Sequence, residues 1–227
     1  GYRSSYLNGK YQSAADNPTT RDALTEQQPS SNKKSMSQDP RATSAGNSIH
    51  MIRPHLRDIP QVPLPENYTI RPIRADEGPL WTEIVLAAEE WLDLSTDLFV
   101  QEFGLDLQSA AERCFFILND KDYAVGTISA WYRHDYRGLD YGLIHWVANR
   151  PEYQGLGLGK AGLSFALTAL AHWHDRALLG TQTKRLPAIA LYLNFGFLPD
   201  LKEPGAHKDW QELKEQLKHP ALENLGL

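Results

Sequence analysis

The chain has 227 residues, 41% hydrophobic and 22% charged, which leaves room for one mid-sized domain and an appendage. Its net charge of −5 is unevenly placed: residues 1–65 hold 8 Lys/Arg against 5 Asp/Glu, whereas from Glu66 onward 15 stand against 23, a balance of −8 that disfavours a nucleic-acid partner and suits a cationic substrate. No run approaches the roughly 20 apolar residues of a membrane-spanning helix, no apolar signal core is seen, and a lone cysteine, Cys114, gives no disulfide framework, so the expectation is a cytoplasmic protein without a membrane partner.

Residues 1–50 are rich in Ser, Thr, Asn, Gln and Asp, lack Trp and show no periodicity, which reads as a low-complexity, disordered tail. Residues 51–66 form an extended, proline-punctuated arm with Ile52, Leu56, Ile59, Val62 and Leu64, expected to lie along the domain surface; Met51 is itself a candidate natural start. Residues 67–200 are patterned. An alternating strand at Tyr68–Arg74 precedes a helix opened by Asp76, whose apolar positions Leu80, Trp81, Ile84, Val85, Ala88, Trp91 and Leu92 recur at three and four. A less regular helical stretch covers about Thr96 to Leu107. Cys114–Leu118 and Ala124–Tyr132 flank turn residues and predict a hairpin, with a third β-run at Leu143–Val147; Cys114, beside Phe115 and Phe116, reads as a small buried hydrophobe.

Leu158 to about Trp173 predicts a helix apolar almost all round, to be covered on both sides. A strand at Ala177–Thr183 and a short helix at Pro187–Phe195 follow, the helix punctuated by Pro187 and Gly196. In residues 201–227, Asp209-x-x-Glu212 reads as a capping box for a helix with Trp210, Leu213 and Leu217 on one side, and an exposed stripe there would suit a homodimer contact. The order predicts a mixed α/β (α+β) fold with a mostly antiparallel central sheet flanked by helices.

The run Gln154-Gly155-Leu156-Gly157-Leu158-Gly159-Lys160 carries the chemistry. Alternate glycines let backbone N–H groups approach an anion, a helix begins there with its positive dipole end, and Lys160 adds a charge, so phosphate binding is the physical baseline. A Walker A loop fails twice, because Gln154 stands where Gly is required and Ala161 where the hydroxyl should be. The dinucleotide fingerprint is formally matched by Gly157, Gly159 and Gly162, but Arg150–Tyr153 separates it from the strand and Ala177–Thr183 lacks the ribose-binding acid, which counts against a nicotinamide oxidoreductase. The text Val147-Ala-Asn-Arg-Pro151-Glu-Tyr153-Gln154-Gly-Leu-Gly157-Leu-Gly159, followed by Ala188-Ile189-x-Leu191-Tyr192-x-x-x-Gly196-Phe197, resembles the GCN5-related N-acetyltransferase (GNAT) family over roughly Tyr68 to Pro199.

The resemblance implies acetyl-CoA as cosubstrate and direct transfer, in a ternary complex, to a primary amine of a small molecule or peptide. It implies that backbone groups near Val147 and Asn149 pair with the pantetheine arm, and that residues 154–160 hold the pyrophosphate. It also implies that Tyr192 protonates the leaving thiolate, although a core aromatic is the plainer reading of that residue. Arg185 stands where the family often has Asn, and an arginine could still reach a phosphate. For the base, strict alternation puts His145 on the face of Val147, towards the cleft, where an imidazole can take the ammonium proton. A core histidine fits equally well, a bulge would redirect the ring, and Asp140, Tyr141, Glu152 and a water relay are alternatives.

The stretch from Asp76 to Asp106 holds acids and no base: solvated helix faces, or a cation-attracting mouth that includes Glu89, Glu90 and Asp93. His172 and His174 lack partners at ligand spacing, and no metal is expected. A non-catalytic acyl-CoA-binding module of the same fold is the competing function.

Overall fold

A computed structural model describes residues 46–104, 107–223 and 225. Seven strands form one sheet: β1 (Ser48–Arg53), β2 (Thr69–Pro72), β3 (Cys114–Leu118), β4 (Ala124–Tyr136), β5 (Leu139–Asn149), β6 (Ala177–Gln182) and β7 (Leu198–Pro199), in the order β2-β3-β4-β5-β6-β1-β7. Every neighbouring pair is antiparallel except β5 and β6, which run parallel. The helices are α1 (Gly78–Ala88), α2 (Leu98–Phe103), α3 (Leu107–Arg113), α4 (Leu158–Leu170), α5 (Leu186–Asn194), α6 (Ala206–Leu217) and α7 (Pro220–Glu223). The mixed, mostly antiparallel sheet flanked by helices is the expected fold class.

Both faces of the sheet are covered, which is why Cys114–Leu118 is apolar without alternation. Phe115 joins a cluster with Leu163, Leu167 and Leu170 of α4, Ile189 of α5 and Trp210 of α6. Its neighbour Phe116 points the other way, into a cluster with Trp81, Ile84 and Val85 of α1 and Phe99 and Phe103 of α2. Helix α4 is covered on its far side as well, because the Ser164 hydroxyl donates to Pro60 O at 2.7 Å and accepts from Val62 N at 3.0 Å, pinning the arm across it.

Four expectations are corrected. Residues 48–53 are neither tail nor surface arm but a strand between β6 and β7, with Ile49 and Met51 buried in the main cluster; the rest of the expected tail, up to residue 45, lies outside the described residues. Pattern analysis misses this strand because its partners lie over a hundred residues away. Helix α1 stops at Ala88 instead of running on to Leu92, because the Glu89 carboxylate accepts from the amides of Trp91 at 2.8 Å and Leu92 at 3.1 Å and turns the chain. The helix of the C-terminal segment starts earlier than its supposed capping box, after Gly205 in the left-handed region, and Asp209 accepts instead from the Asn47 side chain at 2.7 Å. Its Trp210 and Leu213 are buried in the core, so the exposed stripe that would have suited a homodimer is absent from α6. Among the described residues no helix is long and apolar enough to cross a membrane.

Candidate active site

The parallel pairing of β5 with β6 is short, Gly142–Ile144 against Ala177–Leu179. Beyond it the two strands part, and a cavity of about 570 Å³ is lined by His145, Val147 and Ala148 on one side and Gly180, Thr181 and Gln182 on the other. Sheet backbone that loses its neighbour presents N–H and C=O groups to whatever fills the gap.

A bulge lies within this wall. The register between β4 and β5 slips between Thr127 and Ser129, and Trp146 takes a left-handed φ of 51°. The expectation that His145 shares a face with Val147 therefore fails. Val147 packs with the α4 cluster, whereas the His145 ring sits edge-on to Phe103 of α2 at 5.8 Å and its Nε2 lies 2.8 Å from Glu102 Oε2. Both residues still line the cavity. Glu102 is held below the usual carboxylate range, chiefly by the hydrogen bond from His145, against the opposing effect of burial.

Tyr192, on α5, lines the same cavity and is 8% exposed. Its ring packs edge-on against Phe197, and burial pushes its hydroxyl up to about 12, with Arg185 opposing. The core-aromatic and the cavity-lining readings are thus both true of it. Arg185, the residue before α5, donates to Gln182 Oε1 at 2.5 Å and to Glu89 Oε2 at 2.6 Å. The Glu89 side chain is 5% exposed and fully engaged by Arg185, Trp91 and Leu92, so it cannot act as part of an open acidic mouth.

The glycine run joins β5 to α4 through a single 3₁₀ turn at Pro151–Tyr153. Arg150 fixes the strand end: it is buried, donates to Ala124 O at 3.0 Å and to Glu83 at 2.8 Å, and lies over the Tyr123 ring. Gly155 and Gly157 have φ of 75° and 82°, Gly157 being the residue that caps α4. Nothing lies within 4 Å of where a Cβ would stand at either, so the space in front of these backbones is open. Leu158 is buried against Ile117 and Val125 and anchors the loop, while Gln154, Leu156 and Lys160 are exposed. Gln154 donates to Asn149 O at 3.3 Å. The Asn149 Nδ2 lies towards Gly159, whereas its Oδ1 packs against Gly126 of β4 and is enclosed without a protein donor.

The far end of the cavity holds residues that pattern reading passes over. Asp200, 3% exposed, and Glu203 both bond the Tyr136 hydroxyl, at 2.6 and 3.1 Å, and both pair with Arg137, at 2.9 and 2.8 Å. The His50 ring of β1 lies tilted beside Tyr136, and its Nδ1 is 3.8 Å from Glu203. No short-range signal marks these contacts, because they join the β4–β5 turn, the segment after β7 and β1. Among the described residues no group of His, Cys, Asp and Glu is arranged to hold a metal ion.

The model of the acetyltransferase (GNAT) family matches residues 70–197, more than half of the chain. A GCN5-related N-acetyltransferase from Sphaerobacter thermophilus superposes with a TM-score of 0.54 at 18% identity, over 67% of this chain and 48% of that one. An acetyltransferase of the GNAT family from Colwellia psychrerythraea gives 0.54 at 13% identity, over 68% and 53%. A Drosophila protein gives 0.52 at 15% identity, over 68% and 48%. The chain spans about half the length of these structures, and at such identities the likeness is one of fold. Among curated proteins, none matches.

Proposed function

Since the chain belongs to the acetyltransferase (GNAT) family, we propose that it is an N-acetyltransferase that moves an acetyl group from acetyl-CoA to a primary amine of a small molecule or peptide, in a ternary complex. The observation that carries this reading is the parting of β5 from β6 after Ile144 and Leu179, which opens a cavity flanked by Tyr192 and His145. One feature of the chain fits the cosubstrate: open space before the left-handed backbones of Gly155 and Gly157 at the start of α4. Such space suits phosphate oxygens. The residues for binding are therefore Gln154, Gly155, Leu156, Gly157, Leu158, Gly159 and Lys160 for the pyrophosphate, and Val147 and Asn149 for the arm. Arg185, engaged by Glu89, supports the wall beside Tyr192.

Bound acetyl-CoA supplies an acyl thioester, whose C–S bond breaks as a C–N bond forms to the neutral amine, the sulfur leaving as a thiolate that is then protonated. His145 takes one proton from the acceptor ammonium, which frees the nitrogen lone pair. Tyr192 gives its hydroxyl proton to the departing sulfur and regains one from the new amide nitrogen, so the products are amide, thiol and one proton left on His145. A free tyrosinate is costly here: with the hydroxyl at about 12 against a thiol near 8.5, full transfer is uphill by roughly 5 kcal/mol. The two proton movements at Tyr192 therefore occur together, as a relay.

The test is thiol release. Protein, acetyl-CoA and a panel of primary amines should yield free thiol and acetylated amine; coenzyme A binding without release on any amine would leave a binding module instead.

A further inference from the structure

The pair formed by His145 and Glu102 lies where three unrelated features meet. The bulge at Trp146 turns the His145 ring out of the strand's alternation and towards α2. Phe103 confines the ring edge-on, and its chain neighbour Glu102 brings a carboxylate to 2.8 Å from Nε2. Both side chains are partly buried, 26% and 30% exposed; His145 lines the cavity, and Glu102 stands behind it on α2. A carboxylate in this position can only accept, so the proton on a neutral imidazole resides on Nε2 and Nδ1 keeps its lone pair. The cavity lining also holds Glu89 paired with Arg185, Glu203 near His50, and Arg133; the carboxylate bonded to His145 is Glu102.

We propose that Glu102 is a positioning residue for acyl transfer: it fixes the ring and tautomer of His145 so that Nδ1 is the nitrogen that takes the acceptor's ammonium proton. This rests on reading the cavity as an amine-acylating site. Glu102 touches neither the acceptor nor the thioester, and it acts through the imidazole. A carboxylate behind a histidine both orients the ring and steadies the imidazolium that forms, an arrangement whose loss lowers rate more than binding.

The full chain carrying Glu102→Gln should keep its KM for acetyl-CoA within about twofold while kcat falls roughly tenfold to a hundredfold, and Glu102→Asp should recover part of it. In a His145→Ala background the same Glu102→Gln change should cost nothing further. Full kcat in Glu102→Gln, or a cost undiminished in the His145→Ala background, would overturn the proposal. A readout without turnover stands beside these: in 15N-histidine-labelled protein, His145 should show a hydrogen-bonded Nε2–H signal that is protected from solvent exchange and lost in Glu102→Leu. A proton on Nδ1 with Nε2 bare would sink the inference even in an active enzyme. Conversely, the expected signal in a protein that releases no thiol would sink the proposed function and, with it, the catalytic meaning of the pair.

Discussion

Glu89 and Arg185 meet at 2.6 Å across one wall of the cavity, tying the residue that ends α1 to the residue that precedes α5. The Glu89 carboxylate is almost fully enclosed, so removing its cation leaves a buried charge with only two backbone amides as partners. Arg185→Ala should lower stability by roughly 2 kcal/mol, read from the urea midpoint, and Glu89→Ala/Arg185→Ala should cost less than the two single changes added together. Additive losses would show that the pair does not act as a unit.

The glycine at the cap of α4 faces open space with φ of 82°. Gly157→Ala should cost about 1–2 kcal/mol of stability from backbone strain and weaken coenzyme A binding by more than tenfold, measured by calorimetry, because the new methyl group stands where phosphate oxygens would approach. Binding that survives unchanged would place the pyrophosphate elsewhere.

Tyr192→Phe keeps the ring against Phe197 and removes only the hydroxyl. The expected result is a fall in kcat of about ten- to a hundredfold, with acetyl-CoA affinity and melting temperature little changed. A full rate would return Tyr192 to a core role.

Stability should also respond to alkali. Burial raises the Tyr192 hydroxyl to about 12, and burial together with the Asp200 hydrogen bond raises Tyr136 as well, whereas an unfolded tyrosine ionises near 10. The folded state therefore holds protons that the unfolded state releases. The stabilisation is fully present below about pH 10 and is lost as pH climbs towards 12, at up to about 1.4 kcal/mol per unit for each such group. Urea midpoints measured from pH 8 to 11 should decline above 10, and Tyr192→Phe should make that decline shallower.

The sheet position of β1 gives a further test. Ile49 is 3% exposed, so Ile49→Ala should cost about 2–4 kcal/mol in denaturant unfolding, far more than a residue in a surface arm. A chain begun at Met51 would lack it altogether, along with Ser48 and His50 from the cavity lining.

What could be read from the linear text was what nearest neighbours decide. The hairpin of β3 and β4, helix α4 and the Gly196 stop after α5 all follow from periodicity and from glycine and proline chemistry. Tyr192 is reached through its motif; His145 is reached by alternation, a step that the bulge at Trp146 overturns although the residue lines the cavity. What escaped was long-range: Glu102 against His145, Glu89 against Arg185, Asp200 against Tyr136, and β1 against β6. None of these pairs shares a helix turn or a hairpin, so no local preference encodes it. The bulge at Trp146 shows the same limit, since one inserted residue reverses every facing read by alternation.

Ser48 pairs with Gln182, and Met51 pairs with both Leu179 and Pro199, so β1 is made well before the strands that flank it. During synthesis this segment must wait, unpaired, until some 130 further residues have emerged. A sheet closed by so distant a contact forms slowly, and until it closes β6 offers an open edge to other chains. The burden falls on the newly made protein: yield should be limited by how long β6 stays uncovered, and conditions that slow translation after Pro199 or raise chaperone capacity should favour the folded protein over aggregate.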